Sequence, residues 1–421
     1  MQVVFQKSQV AGVINAPASK SFAQRVFACA LLTKGVSVIE RYTPCDDSER
    51  ALEALTKMGA IVERQNERVV ISVDRLTESE KTLNFGASAT SMRIFTGVAC
   101  VTPGIKVITG DPQLLKRPIK PLIQALKQLG AKIECENDHP PLTIYSSELH
   151  GGVVSLDVSI SSQFSSALMI CTTKAKGETL IQHTNIPSSK GYILITQEVL
   201  KLFGGKVYLD KDLKNISVIP SELKPVNYAL EGDYSSAAYL LAAGAISGEV
   251  EVRNLNAKSL QPDRFIIEAL RAMGCRVCIG GESVRVSQTT LEGYEFDVDE
   301  CPDLAPILSV LGAYAKGRTK LTGITRLRYK ESDRVSSIKQ MLESIGVHVN
   351  VKDESIEILG GEVRGGVVHS NNDHRIALAA AVASCASKNP IQVIAFECYT
   401  KSYPQFLEHF SKLGAKFSIK G

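Results

Sequence analysis

The chain has 421 residues, 44% hydrophobic and 22% charged, with 48 Lys and Arg against 44 Asp and Glu. That length points to two or three domains with cores large enough to need no disulfide or metal staple, and the mix excludes a mainly disordered chain. A formal charge of +4 with 6% aromatic residues and no Trp argues against a nucleic-acid surface. A small anionic substrate held in a cationic cleft suits these numbers better.

In chain order, Met1 to Lys7 reads as a strand and lacks the basic start, apolar centre and cleavage site of a secretory leader. No run approaches the ~18 apolar residues of a membrane span, so the expected location is the cytoplasm. Val36-Ser37-Val38-Ile39 alternates like a strand. Ser48 to Met58 shows helical spacing through Leu52, Leu55 and Met58, and Gly59 supplies a left-handed C-cap. Ala60-Ile61-Val62 opens the next strand, and the pattern returns with Leu122, Leu126, Leu129 and Gly130.

Two markers keep one period. Turns recur at Gly35, Gly104, Gly177, Gly248, Gly317 and Asn389, and helix-ending glycines at Gly59, Gly130, Gly204, Gly274, Gly346 and Gly414. The spacings run from 68 to 74 residues, so six units fill the chain, each reading strand, helix, strand, helix, strand, strand. Units this long form compact bodies rather than a solenoid, and no Gly-rich phosphate loop supports a doubly wound nucleotide fold. Ten cysteines are scattered as reduced thiols would be. The close pair Cys275 and Cys278 has no second pair or nearby histidine and is expected to pack in the core rather than bind zinc.

The helix starts hold the chemistry. First helices open at Ser19-Lys20-Ser21, Ser88-Ala89-Thr90, Ser161-Ser162-Gln163, Asp233, Pro302-Asp303 and Asn372 to Arg375; second helices open near Asp46, Arg117, Ser189, Asp263, Lys330 to Arg334, and Lys401 to Pro404. Capping explains the small polar residues. It does not explain Lys20, Arg93, Arg117, Arg334, Arg375 and Lys401, because cations oppose the helix dipole there. Together they point to bound anions. Lys20 offers a charge and a proton, Ser21 a donor, and Arg25 lies four residues on, on the same face. Lys330 and Arg334 share the i, i+4 relation, which is unfavourable unless something negative lies between them. Asp303 and Glu331 are candidate acid–base carboxylates. His374 either orients a neighbour or moves a proton, and Cys301 is read as packing.

These motifs, in this order, resemble the 5-enolpyruvylshikimate-3-phosphate synthase family, the 3-phosphoshikimate 1-carboxyvinyltransferases, from end to end. The opening motif stands as Pro17 to Arg25, a second as Ala87 to Arg93, then Gly110-Asp111-Pro112 with Arg117-Pro118, Ser161 to Phe164, Ser189 to Tyr192, Glu231-Gly232-Asp233, Pro302-Asp303, Arg328 to Arg334, Asn372 to Arg375 and Lys401. The resemblance implies an α/β fold of two similar domains, each of three βαβαββ units, with the active site in a cleft between them. The expected domains are 19–231, and 1–18 with 232–421.

The implied reaction transfers the enolpyruvyl group of phosphoenolpyruvate to the 5-hydroxyl of shikimate 3-phosphate and releases phosphate, with no cofactor or metal. The resemblance assigns Lys20, Ser21, Arg25, Ser161, Ser162, Gln163, Ser189, Asp303 and Lys330 to shikimate 3-phosphate. It assigns Lys20, Ala89, Arg117, Gln163, Arg334, Arg375 and Lys401 to phosphoenolpyruvate. Asp303 would act as base, and Glu331 with Lys20 as acid. The expected partners are these two small molecules, acted on by a monomer, with neither nucleic acid nor membrane. Three departures stand out: Ala89 replaces a usual glycine and should crowd the herbicide glyphosate more than the substrate, Ala87 replaces an asparagine, and Thr325-Arg326-Leu327 replaces Tyr-Asn-Trp. The alternative acceptor, UDP-N-acetylglucosamine, belongs to a sister family that opens with Lys-Asn and carries a reactive loop cysteine. Here the pair is Lys20-Ser21, and no cysteine lies near Arg117.

Overall fold

The computed structural model describes residues 1–78 and 80–420. The chain divides into a split unit, Met1–Pro17 with Glu231–Gly421, and a continuous unit, Ala18–Leu230. Among the described residues six four-stranded sheets form, three in each unit. All share one plan. In the second sheet of the continuous unit, Lys81–Asn84 runs parallel to Ile105–Thr109, which is antiparallel to His139–Tyr145, which is antiparallel to Lys132–Glu136.

The repeat glycines explain the punctuation. All six helix-ending glycines lie at φ between 82° and 105°, a region that L side chains avoid. Each lets the chain reverse from an outer amphipathic helix into a strand.

Two strands break the simple unit order. Val10–Asn15 precedes the first helix of the continuous unit but pairs in parallel with Gly248–Arg253 of the split unit. Asn227–Ala229 precedes the helix Tyr234–Ser247 of the split unit but pairs with Gly35–Glu40 of the continuous unit. The last sheet closes with strands from both ends of the chain, because Gln2–Gln6 lies between Ile391–Ile394 and Lys416–Lys420.

The first helix of each repeat forms the core. In the split unit Tyr234–Ser247, Ala305–Tyr314 and His374–Ala383 pack pairwise, and Tyr234–Ser247 is buried on every face, as its Ala- and Leu-rich sequence requires. In the continuous unit Ala89–Cys100 packs against both Lys20–Leu31 and Gln163–Cys171. Gly97 permits the second approach: a Cβ there would stand 2.9 Å from the Ala167 carbonyl and 3.2 Å from Cys171 Sγ. That close crossing brings Arg93, one turn earlier, to the start of the neighbouring helix.

Cys278 corrects one expectation. Cys275 is buried, but Cys278 is exposed, because Val277–Gly280 is the edge strand of its sheet. No described helix is long and apolar enough to cross a membrane.

Candidate active site

In the split unit, charged residues from two repeats converge on one buried guanidinium. Arg334 opens the helix Arg334–Ser344 and is 1% exposed. Its Nη1 donates to Asp303 Oδ1 (2.6 Å), its Nη2 to Glu331 Oε2 (2.8 Å) and its Nε to Asp373 Oδ2 (2.8 Å). Burial would lower its pKa, but Asp373, Asp303 and Glu331 outweigh that and raise it well above the ordinary arginine value. Asp373 also caps His374–Ala383, accepting from Arg375 N. One carboxylate therefore aligns two cations.

Asp303 sits in the turn before Ala305–Tyr314 and collects three cations. Besides Arg334, Arg375 Nη2 lies 3.4 Å from Oδ2 and Lys330 Nζ 3.7 Å from Oδ1. Burial would raise this carboxyl, but Lys330, Arg334 and Arg375 hold it well below the usual carboxylate range. Lys401 Nζ donates to Glu331 Oε1 (2.8 Å). Thus Asp303, Lys330, Glu331, Arg334, Arg375 and Lys401, all expected from the sequence, do converge.

The local geometry differs from the expectation in two places. Lys330 is outside the helix, with an extended backbone after the short turn Thr325–Tyr329, so it does not share a helical face with Arg334. The intervening negative group that the charge pattern demanded is Asp303, from the start of the first helix of the same repeat. Burial, above all, pushes the Lys330 amine down to about 8. Lys401 ends the turn Phe396–Lys401, and the following helix begins only at Phe406. Arg326 donates from Nε to Asp299 Oδ1 (2.8 Å), bracing the segment that leads to Asp303. Cys301 is buried, and its thiol is pushed up first by that burial and then by Asp263. His374 is buried, with Nδ1 3.8 Å from Asp373 Oδ1.

A further acid was read in the sequence only as a helix start. Asp263, 1% exposed, accepts a hydrogen bond from Ser235 Oγ, and burial followed by the nearby Asp303 pushes it up to about 7. Arg375 is 2% exposed, and its Nε and Nη1 have no hydrogen-bond partner among the described residues.

The continuous unit presents a different surface. The residues capping its three core helices, Ser19, Ser88 and Ser162, make no side-chain cap bond. In the split unit, by contrast, Asp233 and Asp373 cap theirs. Helix starts left open to anions therefore gather where Lys20, Arg25 and Arg93 also lie. Arg25 is 1% exposed and held by neutral partners, donating to Thr196 Oγ1 (2.8 Å), Ser166 Oγ (3.1 Å) and the Ser21 carbonyl (2.8 Å). Burial pulls it down to about 10, with the Tyr192 ring 5.7 Å away. A buried cation without a carboxylate is a strong receptor for an anion.

Arg93 ties three site residues together. It donates to Ser161 Oγ (3.1 Å), Gln163 Oε1 (2.8 Å) and the carbonyl of Pro118, which follows Arg117 (2.7 Å). Gln163 Nε2 donates in turn to Thr90 Oγ1 (2.8 Å), beside Ala89. Ser189 adopts a left-handed conformation (φ 54°) as it starts Lys190–Leu202, the helix carrying Tyr192 and Thr196. Lys20 is paired with Asp47 at 2.9 Å, which the acidic start of Asp46–Lys57 could have suggested.

Comparison with known proteins follows the same lines. Residues 4–410 match the family model described as EPSP synthase (3-phosphoshikimate 1-carboxyvinyltransferase). A 3-phosphoshikimate 1-carboxyvinyltransferase from Aeropyrum pernix is 40% identical over 100% of this chain and 97% of its own length. One from Methanospirillum hungatei is 35% identical, covering 95% of each. The solved EPSP synthase from Acinetobacter baumannii superposes with a TM-score of 0.85 at 26% identity, covering 100% of both chains. With the motifs, the repeated fold and these whole-length matches in agreement, the chain belongs to the EPSP synthase family, the 3-phosphoshikimate 1-carboxyvinyltransferases.

Proposed function

We propose that the chain transfers the enolpyruvyl group of phosphoenolpyruvate to the 5-hydroxyl of shikimate 3-phosphate and releases phosphate through a tetrahedral ketal. The observation that carries this is the buried Arg334 guanidinium, which holds both acid–base carboxylates, Asp303 and Glu331. Asp303 takes the hydroxyl proton as the oxygen attacks C2 of phosphoenolpyruvate. Glu331, with Lys20, delivers a proton to C3, and the methylene becomes a methyl group. Elimination removes a proton from that methyl group as the C2–O bond to phosphate breaks.

Both substrates are anions, and cations are assigned to each of them. Phosphoenolpyruvate is assigned to Lys20, Ala89, Arg117, Gln163, Arg334, Arg375 and Lys401. Shikimate 3-phosphate is assigned to Lys20, Ser21, Arg25, Ser161, Ser162, Gln163 and Ser189, with Asp303 and Lys330. A carboxylate held by three cations is a weak base. Phosphoenolpyruvate competes for Arg334 and Arg375, and each cation drawn to it raises the proton affinity of Asp303 toward what the reaction needs. The same reading has the enzyme working in the cytoplasm as a monomer on small molecules, with neither nucleic acid nor membrane as partner.

The test is phosphate release from phosphoenolpyruvate with either acceptor. Release with shikimate 3-phosphate and none with UDP-N-acetylglucosamine is expected. Release with the nucleotide sugar alone would overturn the acceptor assignment.

A further inference from the structure

The altered motif at Ala87 to Arg93 contains a polar cluster to which no role has yet been given. Gln24 lies on Lys20–Leu31, one turn after Lys20, and is 0% exposed among Phe22, Ala23, Val26 and Phe27. Its Nε2 donates both protons across to the next repeat, to Ser88 Oγ (2.9 Å) and Ser91 Oγ (2.7 Å). Its Oε1 is buried with no hydrogen-bond partner among the described residues. A half-satisfied amide in an apolar core costs stability that an aliphatic residue would not.

The hydroxyl protons continue in one direction. Ser88 Oγ donates to Ser91 Oγ (3.1 Å), and Ser91 Oγ donates to the Asp47 carbonyl (3.3 Å). Ser88 is thereby diverted from capping its own helix. Asp47 Oδ2 accepts from Lys20 Nζ (2.9 Å), and Lys20 leads back to Gln24 along one helical turn. This closed circuit joins the starts of three helices, Lys20–Leu31, Asp46–Lys57 and Ala89–Cys100. It links Asp47, the partner of the Lys20 ammonium, to Ser88 and Ser91 on either side of Ala89.

We propose that Gln24, acting through Ser88 and Ser91, is a positioning residue that sets the distance between Lys20 and Ala89 and so determines selectivity for phosphoenolpyruvate over bulkier anions of the same class. The proposal rests on the assignment of Lys20 and Ala89 to phosphoenolpyruvate.

The experiment compares wild type, Gln24→Leu and Ser91→Ala. Gln24→Leu keeps the bulk and removes the amide; Ser91→Ala truncates one hydroxyl and guards against misfolding of the first variant. For both, KM for phosphoenolpyruvate should rise about fivefold or more; because Lys20 also serves proton delivery and shikimate 3-phosphate, kcat should fall and KM for shikimate 3-phosphate rise, each by a clearly smaller factor. The ratio of the glyphosate inhibition constant to KM for phosphoenolpyruvate should shift by a similar factor, and Gln24→Asn should recover part of the loss. A purely structural role would lower thermal stability without splitting the two KM values. KM values and inhibition ratio within twofold of wild type in both variants would overturn the proposal. A second readout is independent of turnover: the rate at which the Lys20 amine reacts with trinitrobenzenesulfonate. It should rise several-fold once the circuit is cut, and an unchanged rate would overturn the proposal even if wild type proved inactive on these substrates. Wild-type inactivity alone would count against the functional assignment.

Discussion

Replacing Asp303 by Asn tests the charge cluster in two opposed ways. The carboxylate meets Arg334 at 2.6 Å, Arg375 at 3.4 Å and Lys330 at 3.7 Å, and its side chain is 24% exposed. Unit charges 4 Å apart interact by about 4 kcal/mol at an effective dielectric near 20. Desolvation of the carboxylate and partial exposure return most of that, so the net loss of stability should be about 2–3 kcal/mol. In a body of this size that lowers Tm by roughly 4–12 °C. The rate should suffer far more, with kcat falling about 10²- to 10⁴-fold as the base is lost. Binding should move the other way: Arg334 and Arg375 are no longer shared with Asp303, so phosphoenolpyruvate should bind about threefold to tenfold more tightly by calorimetry. A kcat within tenfold of wild type would remove Asp303 as the base. Weaker phosphoenolpyruvate binding would refute the competition for cations.

Three further outcomes follow from named groups. Lys330, with its amine pushed down to about 8, is charged below that pH and neutral above it; kcat/KM for shikimate 3-phosphate should fall on that alkaline limb, and Lys330→Arg should move the limb upward, whereas an unmoved limb would clear Lys330. Asp263, raised from 3.8 to about 7, gives its full stabilising contribution below pH 4 and loses it as pH rises through 7. Asp263→Asn should therefore be more stable than wild type at pH 8, by up to about 4 kcal/mol in denaturant titrations, with no gain at pH 4. Ala89→Gly should bind glyphosate about tenfold or more tightly than wild type in an inhibition titration, because one methyl group in a tight pocket is worth that much; equal inhibition would show that the methyl does not line the pocket.

Periodicity carries far in this chain because each repeat must end its outer helix in a left-handed turn, and glycine marks that turn six times. Lys20, Arg334 and Arg375 were equally legible, since they stand in first helical turns against the dipole; Arg93, Arg117 and Lys401, expected at helix starts too, lie outside first turns. Which carboxylate meets which cation was not. Lys330 and Arg334 looked like neighbours on a helix, but the helix begins only at Arg334, and Asp303 arrives from the start of the repeat's other helix, 31 residues before Arg334, to meet them both. Such a meeting depends on how core helices pack, and no local pattern encodes that. Gln24 was invisible for a related reason: a lone glutamine on an apolar helix has no signature until its two serine partners, more than 60 residues away, are in place. The expected bounds already put Val10–Asn15 and Asn227–Ala229 in the units where they pair, but which strands they join was hidden, because they look like any other strand opening a repeat.

The placement of Gln2–Gln6 bears on how the chain is made. This strand leaves the ribosome long before its sheet partners, Ile391–Ile394 and Lys416–Lys420. Residues 18–230 can settle during synthesis, while the split unit stays unfinished until Lys416–Lys420 has emerged. Throughout that interval a strand carrying Val3, Val4 and Phe5, two of them buried in the finished sheet, waits with both edges unsatisfied. Such a segment invites mispairing between nascent chains, so refolding yield should depend more steeply on protein concentration than the native fold alone would suggest.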